Sequence, residues 1–180
     1  MAEYFDVIDA SGVPLGYTKR RGSELAPGEY HLVTAVWVVN SEGKLLITRR
    51  SHSKDAFPDM WENTSGYVQS GETSHSAAVR ELSEETGIDA PVERFQYLGS
   101  FRSKHTIADT YVLEWDALHT KEDLILQAEE VQNADIVYAD TIEKMIDDGL
   151  FAYPVVLRLR DIVKPLNQII KKYTHKLFKE

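Results

Sequence analysis

An α+β sandwich is the fold class this chain predicts, and three observations carry it. Alternating runs of β-branched and aliphatic residues fill most of the first 140 positions, one clearly helical stretch interrupts them at 73–86, and further helical patterns close the chain. The order strands, one helix, strands, helices suits layers packed on one sheet better than a regular βαβ alternation. No internal repeat or low-complexity tract breaks the 180 residues, and 43% hydrophobic with 27% charged content is that of one ordinary globular domain, taken as 1–180.

The elements follow in order. Residues 4–18 read as two short strands around the turn signal Ser11-Gly12, and the Gly-, Ser- and Pro-rich stretch 22–28 reads as a loop that completes an N-terminal segment, 1–28. Residues 31–39 and 44–48 are strands joined by Asn40-Ser41-Glu42-Gly43, a hairpin signature that places the pair at the centre of the sheet. Residues 51–60 are polar loop, and 61–69 resume a broken extended pattern. The helix at 73–86 carries Ala78 and Leu82 on one side and has Gly87 just past its end, where a left-handed residue closes a helix. Extended segments follow at 95–101, 110–115 and 135–138, then a short helix at 141–148 stopped by Gly149. These segments make up a core over 29–150. Within 151–180, a last helix is expected after Pro165, where Leu166, Ile169, Ile170, Tyr173 and Leu177 recur at helical spacing.

Charge and composition narrow the function. Twenty Lys and Arg stand against 29 Asp and Glu, a net charge of −9, which disfavours a nonspecific binder of nucleic acid or anionic membrane. The basic residues collect at the end: 156–180 hold seven bases and two acids, on a helix whose apolar side would cover either the sandwich or a second subunit in a homodimer. There is no cysteine, which excludes disulfides, thiolate metal sites and any thiol nucleophile. The start, MAEYFDVIDASG, lacks a basic, apolar leader pattern, and the longest apolar run is five residues, so a soluble cytoplasmic protein with no membrane span is the expectation.

The chemistry concentrates in one helix. Glu81, Glu84 and Glu85 stand at i, i+3 and i+4, so three carboxylates share one face within a turn. Left alone they repel, and near a helix C-terminus they also oppose the helix dipole. Acidic runs usually form a solvated face. A hard divalent cation with oxygen ligands would turn the repulsion into binding, whereas a calcium loop would need acids alternating over a 12-residue turn.

The surroundings favour the cation. Gly66, Glu72, Arg80-Glu81-Leu82, Glu84-Glu85 and Gly87-Ile88 occupy all nine fixed positions of the Nudix box, and a chance match has odds of roughly 10⁻⁷ or less at ordinary residue usage. The stretch 66–88 therefore resembles that of the Nudix hydrolases, whose α/β/α sandwich with a mixed β-sheet agrees with the strand pattern over about 29–149. The resemblance implies that Glu81, Glu84, Glu85 and the carbonyl of Ser65 hold Mg²⁺ or Mn²⁺, with Glu81 also a candidate base. Glu72 and Arg80 take supporting roles, and a fixed guanidinium can orient carboxylates by paired hydrogen bonds. The activity implied is hydrolysis of a diphosphate linkage in a nucleoside or other small organic diphosphate, by an aligned water whose proton a carboxylate accepts. In several family members a loop acid beyond the box serves as base; Glu130 fits best here, with Glu129 beside it and Glu114 and Asp109 behind.

Upstream, residues 45–66 resemble isopentenyl diphosphate isomerase and its hydrolase relatives. By that likeness Arg50 and Lys54 meet the substrate diphosphate, against the plainer reading of a solvated strand end. The isomerases carry a cysteine before the box glycine and a histidine after it; this chain has Ser65 and Tyr67, so isomerisation is disfavoured. His31 matches a metal-ligand histidine of the isomerases, but a lone histidine at a strand start is more often a polar edge residue. Trp61, Tyr67, Phe101 and Tyr111 could stack on a nucleobase, though aromatics at sheet spacing are usually core. A noncatalytic ligand sensor is the rival class, and it would be expected to have lost one of the acids.

Overall fold

The computed structural model describes residues 3–179. An antiparallel hairpin comes first, β1 (Tyr4–Ile8) and β2 (Pro14–Arg20), turning where the Asp9 carboxylate accepts the backbone N–H groups of Ser11 and Val13. The main sheet is mixed and has seven strands: β3 (His31–Val39), β4 (Leu45–Arg50), β5 (Trp61–Glu62), β6 (Thr64–Tyr67), β7 (Phe95–Arg102), β8 (Thr106–Glu114) and β9 (Val131–Val137). Its path runs β5-β4-β3-β8-β7, with β6 added to β3 and β9 to β4. Only β3 and β8 run parallel, from His31 opposite Thr106 to Val39 opposite Glu114.

Three helices cover the sheet: α1 (Ser74–Thr86), α2 (Ala139–Asp147) and α3 (Tyr153–Ile170). Side chains alternate across a strand, so each central strand feeds two cores. Val36, Val38, Leu46, Tyr111 and Leu113 pack with Ala78 and Leu82 of α1, while Trp37, Val39, Leu45, Ile47 and Val112 pack with Ile142 of α2 and Val155, Leu159, Ile162 and Leu166 of α3. The α/β/α layering is thus written in single-residue steps along β3, β4 and β8. No helix among the described residues is long and apolar enough to cross a membrane.

Several expected boundaries differ. The turn at 40–43 forms, with the Asn40 side chain accepting from the N–H groups of Glu42 and Lys44, yet β3 and β4 pair only at Val39 and Leu45 and then diverge. Each finds longer partners: β8 and β6 for β3, β9 and β5 for β4. β8 starts at Thr106, not 110, and β9 at Val131, not 135, because pairing with a neighbour holds polar residues such as Asp109 and Asn133 extended against their propensity.

The last helix begins well before Pro165 and stops before Tyr173 and Leu177. Pro154 sits in its first turn, where the missing N–H costs nothing. Pro165 lies inside, where a proline costs about 3 kcal/mol or more; the fully buried Ile162 and Leu166 on either side supply the packing that offsets it. Beyond α3 the chain folds back. Asn167 donates to the carbonyl of Phe178 and accepts its N–H, pinning that ring beside Trp37 in the core. The apolar side of this region therefore lies against its own sheet.

Candidate active site

Local signals fix α1 at both ends. Thr73 caps it by accepting the N–H of Ser76, whose hydroxyl accepts the N–H of Thr73 in return, and Gly87 closes it with φ of 74°. Within its last turns the three acids part company. Glu85 is 5% exposed, Glu81 is partly buried, and the Glu84 side chain is 52% exposed. Positions i and i+4 differ by only about 40° around a helix, so Glu81 and Glu85 turn together toward the sheet while Glu84 swings outward.

Arg80 organises this face. Its Nε and Nη2 grip both oxygens of Glu72 at 2.7 and 2.9 Å, Nη2 also reaches the carbonyl of Tyr67 at 3.0 Å, and Nη1 reaches Glu81 at 2.9 Å and Glu84 at 3.1 Å. Glu72 consequently sits below the ordinary carboxylate range, and Arg80 above its usual value. Box glycine and helix meet here too: a Cβ on Gly66 would lie 2.1 Å from the Glu81 carboxyl, so only glycine leaves room for it.

The buried acids are short of positive charge. Burial pushes Glu85 well up, the neighbouring carboxylates of Glu62, Glu81 and Glu130 push it further, and Lys54 only partly opposes them. Glu81 is raised by burial against Arg80, and Glu62 by burial against Arg50. The Oε2 of Glu85 is buried without a hydrogen-bond partner, which in a native interior calls for an explanation. Among the described residues no three acid or imidazole side chains already stand as a ready-made metal cage. The donor set nevertheless fits a hard divalent cation: an orphaned carboxylate oxygen on Glu85, a second carboxyl on Glu81 in the space over Gly66, and surplus negative charge around both.

Next to these acids opens a cleft of about 740 Å³, lined by Ser65, Gly66, Tyr67, Arg50, Lys54 and Glu130 among others. Its position follows from the diverging strands, because the segment 61–67 pairs first with β4 and then with β3, and Asn63 at the crossover donates to the carbonyl of Val36 at 3.1 Å. Arg50 is held by Glu62 at 2.6 Å and by the carbonyl of Ala56 at 2.9 Å; Lys54 contacts Glu130.

The structure thus brings Glu81, Glu85, Ser65, Arg50, Lys54 and Glu130 together, with Glu72 and Arg80 behind them. Glu129 is exposed and outside the cleft lining, Asp109 accepts from Ser74 at 2.6 Å, and Glu114 is engaged by Lys172 at 2.8 Å and Tyr173 at 2.5 Å. Of the four candidate stacking aromatics only Tyr67 reaches the cleft, and it lies between the Arg21 guanidinium, 4.9 Å from its centroid, and the His31 ring, 4.6 Å away. His31 is committed to that stack and to Thr106, 3.2 Å from its Nε2.

Sequence reasoning missed Glu62 and the N-terminal Glu3, Arg20 and Arg21, which also line or underlie the cleft. The run Lys19-Arg20-Arg21 at the end of a strand was a signal; nothing in the spacing pointed to Glu62.

The chain is similar to known proteins in sequence and in fold. The sequence profile of the NUDIX domain matches residues 29–154. A Nudix hydrolase of Listeria monocytogenes, described as uncharacterized, is 35% identical over 150 residues, covering 83% of this chain and 88% of its own. The isopentenyl-diphosphate Delta-isomerase of Escherichia coli is 35% identical over 88 residues, 48% of each chain. Among solved structures, DR0079 from Deinococcus radiodurans superposes with a TM-score of 0.69 at 25% identity, over 83% of this chain and 92% of its own. With the box complete on its helix and the profile spanning the mixed sheet, α1 and α2, the chain belongs to the Nudix family and is a hydrolase of phosphoric anhydrides.

Proposed function

We propose that the chain is a Mg²⁺- or Mn²⁺-dependent pyrophosphohydrolase that cleaves the diphosphate linkage of a nucleoside or other small organic diphosphate. The observation that carries this reading is the buried, unpartnered Glu85 carboxylate beside Glu81, Glu62 and Glu130, at the edge of a cleft bearing Arg50 and Lys54. Glu81, Glu85 and the Ser65 carbonyl would hold the cation, joined by Glu84 once it releases Arg80. When bound, the cation offsets charge on the phosphate oxygens and lowers the pKa of the attacking water.

The chain's own groups do the rest. Arg50 is tethered through Nε and Nη1, leaving Nη2 without a hydrogen bond among the described residues, so it can grip diphosphate with its geometry already set. Lys54 is paired with Glu130. A diphosphate drawing the ammonium away would free the Glu130 carboxylate to accept the water's proton, with Glu81 the second candidate. The cleft has the size of an ordinary small-ligand site. Isomerisation is disfavoured by Ser65 and Tyr67 and by the lack of any thiol, and a noncatalytic sensor by the full set of acids.

The test is a panel of nucleoside triphosphates, sugar nucleotides, dinucleotides and prenyl diphosphates, each with Mg²⁺ and with Mn²⁺, scored for released phosphate or pyrophosphate and for alkene isomerisation. Cation-dependent release from at least one class is expected. Isomerisation alone, or no turnover with binding retained, would overturn the reading.

A further inference from the structure

Two cations of the cleft are unused by this mechanism. Arg20, the last residue of β2, and Arg21 after it both line the cleft, and both precede the matched profile. The hairpin that carries them is fixed to the box loop. The Ser70 hydroxyl donates to the Asp6 carboxylate at 2.6 Å, the Gly71 N–H donates to it at 3.0 Å, and the Ser70 N–H donates to the carbonyl of Tyr4 at 2.9 Å. The guanidinium of Arg21 lies 4.9 Å from the ring centroid of Tyr67, the neighbour of Gly66, over which the Glu81 carboxyl stands. Arg20 has no side-chain partner among the described residues. Arg21 pairs with Glu3 at 2.6 Å, an exposed contact of the kind that costs little to exchange.

The rest of the lining says what such cations would meet. Ligand pockets are usually walled by apolar and aromatic side chains. Here Val33 and Ala56 are the only aliphatic side chains, and the one aromatic ring, Tyr67, is flanked by Arg21 and His31. An apolar tail has little to pack on, and a planar base has no open ring face to stack on. We propose that Arg20 and Arg21 are specificity-determining residues that hold a phosphate on the organic moiety of the substrate, so that the cleft selects a diphosphate whose other end is also charged. Two adjacent guanidiniums match a phosphate dianion in charge and in donor geometry. Arg50 and Lys54, on and after β4, remain for the diphosphate itself. The inference rests on the proposed diphosphate chemistry of this cleft and names its substrate class.

The test compares two nonhydrolysable methylene bisphosphonates with tails of equal length, one ending in a phosphonate and the other in a hydroxyl, titrated with Mg²⁺ into the full chain by calorimetry. Wild type is expected to bind the phosphonate-tailed probe at least about tenfold more tightly, the scale of a charge-assisted contact to arginine. In the Arg20→Ala/Arg21→Ala double variant this preference should fall below about threefold, with the hydroxyl-tailed probe bound within about twofold of wild type. Arg20→Ala alone, at an exposed and unpartnered position, should lower the preference by at least about threefold, and it serves if the double variant does not fold. No preference in wild type, or a preference unchanged in the variants, would overturn the inference. So would a double variant that weakens both probes alike, since the arginines would then be further grips on the diphosphate. Arg50→Ala reads the underlying function separately: normal binding of both probes by that variant would remove the proposed diphosphate grip, whereas the tail preference is measured within each protein.

Discussion

The carboxyl of Glu81 occupies the space where a side chain on Gly66 would stand, with 2.1 Å between them. Gly66 does not have a positive φ, and the atoms nearest to a methyl group there all belong to the movable carboxyl end of Glu81. Gly66→Ala should therefore fold with a thermal midpoint within a few degrees of wild type and lose turnover by about tenfold or more, as a small misplacement of a reacting group does. Kinetics alongside a melting curve check this, and unchanged turnover would mean that Glu81 need not lie over Gly66.

Glu85 presents the opposite balance between stability and activity. Its charge is buried among Glu62, Glu81 and Glu130 with one oxygen unpartnered, so the neutral Glu85→Gln relieves repulsion in the metal-free protein. A gain of about 1 kcal/mol, or about 2–4 °C for a chain of this size, is expected in the presence of chelator. Turnover with Mg²⁺ should fall at least about a hundredfold because a ligand charge is gone. A destabilised variant with full activity would contradict both halves.

Arg50→Ala should chiefly raise KM, since a grip made before reaction is lost from ground state and transition state alike. Steady-state kinetics on the best substrate of the panel separate the outcomes. A fall confined to kcat would show that Arg50 acts only in the transition state.

A pH dependence of stability follows from His31, whose burial, helped by the nearby His105, holds its imidazole down at about 4. The unfolded chain takes up that proton near pH 6.5, so the folded state is fully favoured above 6.5, loses ground as pH falls toward 4, and loses no more from this group below 4. The loss is at most about 3 kcal/mol from this one ring. Thermal midpoints at pH 7 and pH 4.5 should converge when wild type is compared with His31→Phe, and an equal acid loss in both proteins would assign the effect elsewhere.

Much of this was legible in the sequence where causes are local. The helix at 73–86 announced itself by its period and its closing glycine, and the nine box positions carried the fold with them. What depended on distant partners was not. The divergence of β3 from β4 is decided by competition among strands far apart in sequence, and it is this divergence that places Glu62 under Arg50. Glu84 lies within one turn of Glu81 and Glu85, yet the sheet packs on the side to which those two turn and leaves Glu84 exposed beside Arg80, an outcome visible only once the helix is docked. The pattern Val155, Leu159, Ile162, Leu166 was present for the last helix, but Pro165 read as its start because a proline's local cost is plain in sequence and the packing that outweighs it is not.

The most direct test of the central claim, that the buried acids of α1 exist to hold a divalent cation for phosphoanhydride cleavage, is calorimetric titration of Mn²⁺ into wild type, Glu81→Gln and Glu85→Gln. Saturable binding to wild type that weakens at least tenfold in both variants, in step with lost turnover, is the predicted result; equal binding in all three proteins would contradict it.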